Sequence, residues 1–575
     1  MSRGVSTKTI HWRLFFILIF LVAGGAAILA RLFLLQIIEY RTYVTLAARQ
    51  HGGGAVLLPR RGTILAQDKN GNRQALALDK SLFLVSANPK QVADQVKTAS
   101  LLAPILGVSY DTLFLQLSQK DTYEVLAKKI DDDAAAKIRA LDLPGISLED
   151  QSRRIYPGGS MAAAILGFAK FDQNHEVGEY GIEKQFDAAL TGNTSLFEGV
   201  SNSSPESLLT LGRRIIHPPI DGKDIVLTID YNIQQQAEAA ADELMKKWTP
   251  EAAYILVIDP SSGKILAAVI RPTFDPNNYG SVKSLSVFKN ALFDSIYELG
   301  SVMKPVTMAA AINEGVITPD TSYTDPGIIH FGRYYVENYD QQSHGVLTMT
   351  QVLEKSLNTG AVFVEEKLAH AKFLEYLKAF GFGEKTGVDI PGEVRGNISN
   401  LVKNRDIDYA TASFGQGIAV TPIQMAIAMS AIANGGNLVR PYIVDSIIDD
   451  SGAVVNTSQE SKRRVISRKT SETVTKMLVS VTEHGFDNHA AVKGFFVAGK
   501  TGTAQVANVG TRGYSSGDFI HSFAGYAPAF TPKFLIYMQM VKPKGVHYAS
   551  TSLTPTFHNL ASYILNYYNI PPDHQ

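Results

Sequence analysis

At 575 residues the chain is too long for one ordinary core, so two or more domains are expected. Its 54 basic residues are balanced by 54 acidic ones, which leaves no basic surplus for binding nucleic acid. The lack of cysteine excludes disulfides, thiolate metal sites, iron–sulfur clusters and cysteine nucleophiles.

In chain order, residues 14–30 (LFFILIFLVAGGAAILA) carry no charge, and Arg31 is followed by a mostly apolar run to Ile38. Together they form roughly 37 Å of helix, enough to cross a bilayer at a tilt. Arg3, Lys8 and Arg13 precede the run with no acidic residue among them. Residues 1–13 are therefore expected in the cytoplasm, 14–38 as a transmembrane anchor, and the rest outside. A cleaved signal peptide is the alternative, but the apolar length exceeds a signal core. Residues 39–245 are punctuated by the turn signals HGGGA, KNGN, YPGGS, ALTGNTS and SNSSP. SLFLVSA and DIVLTID alternate as strands, and helical patterns cover 134–140 and 232–247.

A second domain is expected over 246–575. AAYILVIDP and KILAAVI flank a Pro-Ser-Ser-Gly turn and read as a hairpin. A mostly helical middle runs to Pro441, then GFFVAGKTG, HSFAGYAP and KFLIYMQMVKP read as strands, and 555–568 as a last helix. This order predicts an α+β fold, an antiparallel sheet with helices on its faces.

In YELGSVMKPVTMAAAINEG, Gly300 breaks the chain and Ser301 opens a helical pattern ending at Gly315. Unpaired N–H groups and the positive dipole end at a helix start favour a developing negative charge. Lys304, one turn on, shares the face of Ser301, and a desolvated lysine there can take the serine proton. Ordinary capping competes as a reading of this pair alone. A second Ser-x-x-Lys, at 261–264, falls in the hairpin turn and reads as solvated. Ser356 and Asn358 lie between the helical runs LTMTQVLEKS and AVFVEEKLAH. They either cap those helices or point together into a cleft, relaying a proton and bonding a peptide amide.

KGFFVAGKTGTAQ (493–505) fits the phosphate-loop pattern G-x-x-x-x-G-K-[ST] at every required position. Its variable residues are strand formers, no helical periodicity follows, and the site would lie outside the cytoplasm. No nucleotide is expected there. An edge strand is expected instead, with Lys500 and Gly502 on one face and Thr501 and Thr503 on the other. Gly502 is expected to keep that edge open to a ligand backbone, which adds as a further strand. A second Lys-Thr-Gly, at 385–387, has no strand before it and reads as a surface turn.

With Ser-x-x-Lys, Ser-x-Asn and Lys-Thr-Gly in this order, the chain resembles the class B penicillin-binding proteins, monofunctional peptidoglycan D,D-transpeptidases. It looks most like their cell-division branch. RIYPGG (154–159) and GEYGIE (178–183) are similar to the family's pedestal motifs, and DGKDIVLTIDYNIQQQAE (221–238) to its lead-in to the catalytic domain. ATASFGQGIAVTPIQMA (410–426) and HSFAGYAP (521–528) are similar to its supporting segments. Leu299 stands where the family usually has Pro, and Met303 where it often has an aromatic residue; both are expected to alter cleft shape or β-lactam affinity. RRGTILAQDKNGN (60–72) is longer than the family's R-G-x-I-x-D-R-N-G, which bears on a pedestal contact.

The resemblance implies a transmembrane helix, an elongated mixed α/β pedestal, and a serine β-lactamase-like transpeptidase domain with a helix-flanked antiparallel sheet. By the family's pattern Ser301 is the nucleophile and Lys304 its general base, and the N–H groups of Ser301 and Thr503 form the oxyanion hole. Ser356 relays a proton, Asn358 holds the substrate amide, and Lys500 keeps the cleft electropositive. Thr501 and Thr503 bind the terminal carboxylate beside Gly502. No metal or cofactor is implied. The implied partners are peptidoglycan stem peptides, β-lactams, the cell membrane, a SEDS-type glycosyltransferase and division proteins. An elongation-specific transpeptidase, a D,D-carboxypeptidase and a non-enzymatic β-lactam sensor or scaffold remain as alternatives.

Overall fold

A computed structural model describes residues 7–38, 59–80, 82–150, 153–172, 175–193, 220–449, 451–457, 463–485, 489–507 and 513–574. The expected turns at HGGGA and SNSSP, and residues 1–6 of the tail, lie outside these. Two compact units emerge: residues 1–60 with 192–222, and residues 61–191 with 223–575. In the first, helix α1 (Thr7–Phe33) runs on into a π-helical turn, Leu34–Ile38. Its stretch Leu18–Gln36 is 0% buried, and is long and apolar enough to cross a membrane.

The second unit begins with a hairpin of β1 (Ile64–Gln67) and β2 (Arg73–Lys80). Asp68 closes it by accepting hydrogen bonds from the N–H groups of Asn70 and Asn72, so the longer loop becomes a tight Asx turn. Next, β3 (Phe83–Ala87) is followed by α2 (Gln95–Leu106), α3 (Tyr110–Leu117), β4 (Glu124–Ile130), α4 (Asp132–Ala140) and β5 (Ile146–Asp150). Each helix starts at a side-chain cap, Asp94, Ser109 and Asp131 in turn. They cover a β4–β3–β5 sheet around Val85, Leu102, Leu113 and Leu126. After β6 (Arg153–Ile155), three separate motif segments meet on one carboxylate. The fully buried Glu183 pairs with Arg154 Nε (2.7 Å) and Arg61 Nε (2.8 Å), and accepts a hydrogen bond from the Tyr156 hydroxyl (3.1 Å). Burial alone would raise the Glu183 pKa, but the two guanidinium groups hold it below its usual value. The longer hairpin loop leaves this contact intact.

The rest of this unit runs from β7 (Asp224–Asp230) and α5 (Tyr231–Trp248) into β8 (Ala252–Ile258), β9 (Ile265–Arg271) and α6 (Lys304–Asn313). Helices α7 (Met349–Glu354), α8 (Asn358–Leu368) and α9 (Pro422–Ala433) precede β10 (Val444–Ile448), β11 (Val454–Asn456) and α10 (Arg468–His484). Last come β12 (Ala498–Ala507), β13 (Tyr514–Ala527), β14 (Phe534–Val541), α11 (Ala549–Ser552) and α12 (Thr554–Tyr567). Strands β7 and β10 join the pedestal hairpin in one sheet, ordered β11–β10–β7–β1–β2–β6. Ile233, Ala237, Ala241 and Leu244 of α5 are buried in the core of the next sheet. The expected 245/246 boundary falls inside this helix, which packs as one piece.

That next sheet is antiparallel throughout, ordered β9–β8–β14–β13–β12. On one face α5 and α12 pack against Val257, Phe523 and Met538; on the other, α6, α9 and α10 pack against Leu256 and Tyr526. β12 is therefore an edge strand. The middle region is less helical than its composition suggests, since Ser322–Asp325 pairs with Gly345–Thr348 and Ile328–Phe331 with Tyr334–Glu337. Bulky Phe495 and Phe496 also stand outside β12: Phe495 bridges Val492 in a turn and Phe496 packs on His574.

Candidate active site

Gly300, at φ +65°, carries the backbone through a left-handed turn into a 3₁₀ segment, Gly300–Met303, that delivers Ser301 to the start of α6. Ser301 lines a cavity of about 670 Å³ with Ser356, Asn358, Lys500, Thr501 and Thr503. The expected residues from three distant segments thus converge. Lys304 is fully buried (0% exposed) below this cavity. Its Nζ donates to the Ser356 carbonyl (2.5 Å) and to Asn358 Oδ1 (2.9 Å), with Ser356 Oγ at 3.4 Å. Burial, and then the charge of Lys500, press its pKa well below the ordinary value. A neutral amine has two N–H bonds and one lone pair. The two short acceptors use the N–H bonds and leave the lone pair for a proton.

Ser356 sits at φ +56°, a left-handed conformation costly for a residue with a Cβ. This turn lets its carbonyl face Lys304 while its hydroxyl accepts a hydrogen bond from Lys500 Nζ (2.9 Å). Neither Ser356 nor Asn358 caps a helix: α7 has its own Thr348–Gln351 capping box, and α8 has no local side-chain cap. Instead the buried Asn338 reaches across, its Oδ1 accepting from the N–H groups of Asn358 (3.0 Å) and Thr359 (3.3 Å). Asn358 Nδ2 donates to the Glu337 carbonyl (3.0 Å), which fixes its amide with Oδ1 on Lys304. Lys500 is also buried, and that burial brings its pKa down to about 7.

On β12 the faces alternate as the spacing predicts. Lys500 reaches Ser356 and Gly502 faces the Ser301 turn, while Thr503 on the other face accepts a hydrogen bond from Ala549 N–H (3.1 Å).

A model described as the penicillin binding protein transpeptidase domain matches residues 253–562, and one for the penicillin-binding protein dimerisation domain matches 56–227. Stage V sporulation protein D of Bacillus subtilis (strain 168) is 34% identical over 563 residues, covering 97% of this chain and 86% of its own length. The chain belongs to the class B penicillin-binding proteins. Peptidoglycan D,D-transpeptidase FtsI of Escherichia coli (strain K12) is 27% identical over 529 residues, 88% of this chain and 84% of that one. Among solved structures, penicillin binding protein 3 from Mycobacterium tuberculosis complexed with aztreonam matches with a TM-score of 0.69 at 27% identity. The match covers 90% of this chain and 98% of that one.

Some site residues of this penicillin-binding protein stand differently from expectation. The space left by Gly502 is filled by protein: a Cβ there would lie 2.4 Å from the Leu299 carbonyl oxygen and 3.0 Å from Val302 N. The glycine serves close approach of the Ser301 turn, and its open side faces protein. Leu299 and Met303 are buried in the core and are absent from the cavity wall, so they shape the cleft only from behind. β12 continues to Ala507 with no helix after the Gly-Lys-Thr, which removes the basis of a phosphate loop. At the second Lys-Thr-Gly, Thr386 and Gly387 donate backbone N–H bonds to the Glu393 carboxylate in a turn. Ser261 and Ser262 bond the Asp259 carboxylate in theirs. Sequence reasoning missed Asn338, Tyr339, His547 and Tyr548, which hold or line the cavity. The two-residue turn between Phe331 and Tyr334 was a legible hairpin signal for the first two.

Proposed function

We propose that this chain is a membrane-anchored peptidoglycan D,D-transpeptidase that works through a Ser301 acyl-enzyme. The observation carrying this reading is the convergence of two buried lysines on Ser356, one of them a helical turn from Ser301. Ser301 Oγ attacks the carbonyl of the penultimate D-Ala of a stem peptide, and its proton passes to the Lys304 lone pair. The N–H groups of Ser301 and Thr503 hold the oxyanion, a donor set whose single loss costs ~10²–10³ in rate. As the peptide bond breaks, Ser356, polarised by Lys500, delivers its proton to the departing D-Ala nitrogen and takes back the one held by Lys304, 3.4 Å away, so both groups return to their starting states. Asn358 holds the substrate amide, and Thr501 and Thr503 hold the terminal carboxylate. An amine from a neighbouring stem peptide then attacks the ester carbonyl, forming the cross-link and returning the proton to Ser301. β-Lactams acylate the same serine.

The anchor is read with its N-terminus in the cytoplasm and the catalytic unit outside. The FtsI names of the relatives favour septal wall synthesis. A SEDS-type glycosyltransferase and division proteins are the partners that the family resemblance implies. A second reading, synthesis during sporulation, is favoured by the 34% match to stage V sporulation protein D. Covalent labelling by a fluorescent penicillin, lost in Ser301→Ala, is the expected result. Cross-linked dimer from stem peptide and acceptor amine is expected alongside. Labelling that persists in Ser301→Ala would refute the mechanism, and hydrolysis without dimer would make the enzyme a carboxypeptidase. Localisation to division septa or to forespores separates the two settings.

A further inference from the structure

Thr503 and His521 stand directly opposite each other on the β12–β13 pair, so their side chains share a face of the sheet. Over that face lies the segment 547–552, which includes α11. Three hydrogen bonds fasten it. Ala549 N–H donates to Thr503 Oγ1 (3.1 Å), the His547 carbonyl lies 3.2 Å from His521 Nε2, and Ser552 Oγ lies 2.9 Å from His521 Nδ1. His521 is fully buried (0% exposed), and neither polar partner it meets is an acid.

For a neutral ring these contacts allow one proton arrangement. A carbonyl only accepts, so Nε2 carries the hydrogen, and Nδ1 of the neutral ring must accept from Ser552 Oγ–H. Burial, which lowers the His521 pKa to about 4, keeps the ring in that state at neutral pH. With its ring fixed at both nitrogens, His521 anchors both ends of the segment. Between those ends, the Ala549 N–H occupies a lone pair of the Thr503 hydroxyl. The single O–H hydrogen of Thr503 is then left to be donated elsewhere, and Thr503 lines the cavity. A hydroxyl held this way is a donor toward the cleft.

We infer that His521 is a positioning residue that, through segment 547–552, presents the Thr503 hydroxyl as a fixed donor and so sets the preference for a substrate carrying a free carboxylate. This rests on the transpeptidase reading above. Without the anchor, the Ala549 N–H drifts from Thr503, the hydroxyl turns between rotamers, and a carboxylate loses its oriented partner. A misplacement on the order of 1 Å can cost about a hundredfold in rate.

The experiment measures acylation rates of the full-length protein with a penicillin and with its methyl ester, in wild type, His521→Ala, His521→Gln, Ser552→Ala and Thr503→Val. His521→Ala is expected to slow acylation by the acid far more than by the ester, so that the acid-to-ester ratio falls to that of Thr503→Val. The double variant His521→Ala/Thr503→Val should be no slower than Thr503→Val alone on the acid. His521→Gln, whose amide can donate to the His547 carbonyl, should recover part of the ratio. A general loss of folding would slow both substrates alike, and thermal melting identifies it. Should His521→Ala fail to fold, Ser552→Ala carries the same test after removing one bond. An acid-to-ester ratio unchanged in the folded variants would overturn the inference. So would losses that multiply in the double variant. Failure of the wild type to acylate at all would instead overturn the proposed function.

Discussion

Gly502→Ala tests whether the edge strand and the nucleophile turn are one built unit. The new Cβ would lie 2.4 Å from the Leu299 carbonyl oxygen, 2.4 Å from Ser522 Oγ and 3.0 Å from Val302 N. Leu299 and Val302 bracket Ser301, and both are met at backbone atoms that no rotamer change can move aside. Ordinary contact needs about 1 Å more, so β12 and the 3₁₀ segment must separate by that order. The Ser522 hydroxyl, which donates to the Leu299 carbonyl at 3.0 Å, must give way as well. Overpacking of this kind costs about 1–3 kcal/mol in stability. The catalytic cost is larger, because the oxyanion donors proposed here come from both sides of the widened gap. A 1 Å misplacement costs ~10² in rate. Stopped-flow acylation by a chromogenic cephalosporin reads the rate, and thermal melting reads stability. If Gly502 instead kept room for a ligand, small β-lactams would acylate normally, melting would not shift, and only stem-peptide binding would weaken. That outcome would refute the packing argument.

Three further outcomes follow from particular groups. Burial sets the Lys500 pKa at about 7 in the folded chain against 10.5 when unfolded. Between those values the unfolded state binds the extra proton, so this group makes stability rise with pH, by at most ~1.4 kcal/mol per unit. The stability difference between wild type and Lys500→Met, measured by equilibrium denaturation, should change across that window; a constant difference would contradict the burial argument. Glu183→Gln removes the carboxylate shared by two buried guanidinium groups, which keep Asp187 (2.8 Å) and Asp79 (3.2 Å), and should destabilise by less than the ~3–5 kcal/mol of a wholly unpaired buried ion. Because the Glu183 pKa is lowered, its contribution is present above the unfolded value of 4.5 and lost as pH falls through the folded one. The variant should therefore show a flatter acid limb in its denaturation midpoints. Lys385→Ala should leave penicillin acylation unchanged, since that lysine is exposed on the Glu393-braced turn, and any slowing would mean the second Lys-Thr-Gly reaches the cleft.

The legible parts of this protein are local. An uncharged run of helix length, a Pro-Ser-Ser-Gly hairpin and a Gly-Ser break before a helical pattern each express short-range physics, and the structure has α1, the β8–β9 turn and the 3₁₀ entrance to α6 there. Alternation along β12 placed Lys500 and Gly502 on one face for the same reason, since the pleat repeats every two residues. The errors arose where a local signal met a distant partner. Phe495 and Phe496 are strand formers by composition, yet Phe496 packs on His574, far along the chain. Gly502 suggested space until the Leu299 carbonyl filled it.

By itself the sequence determined the anchor, the helix-flanked antiparallel sheet and the reactive residue types in their order along the chain. Tertiary structure alone decided their chemical states. Lys304 and Lys500 are ordinary lysines in the sequence; burial presses both pKa values down, and for Lys304 the charge of Lys500 adds to it. The left-handed Ser356, the amide of Asn358 fixed by the Glu337 carbonyl, and the neutral His521 likewise depend on groups brought from distant segments. Charge and hydrogen-bond direction are set by surroundings, and surroundings exist only once the chain has folded.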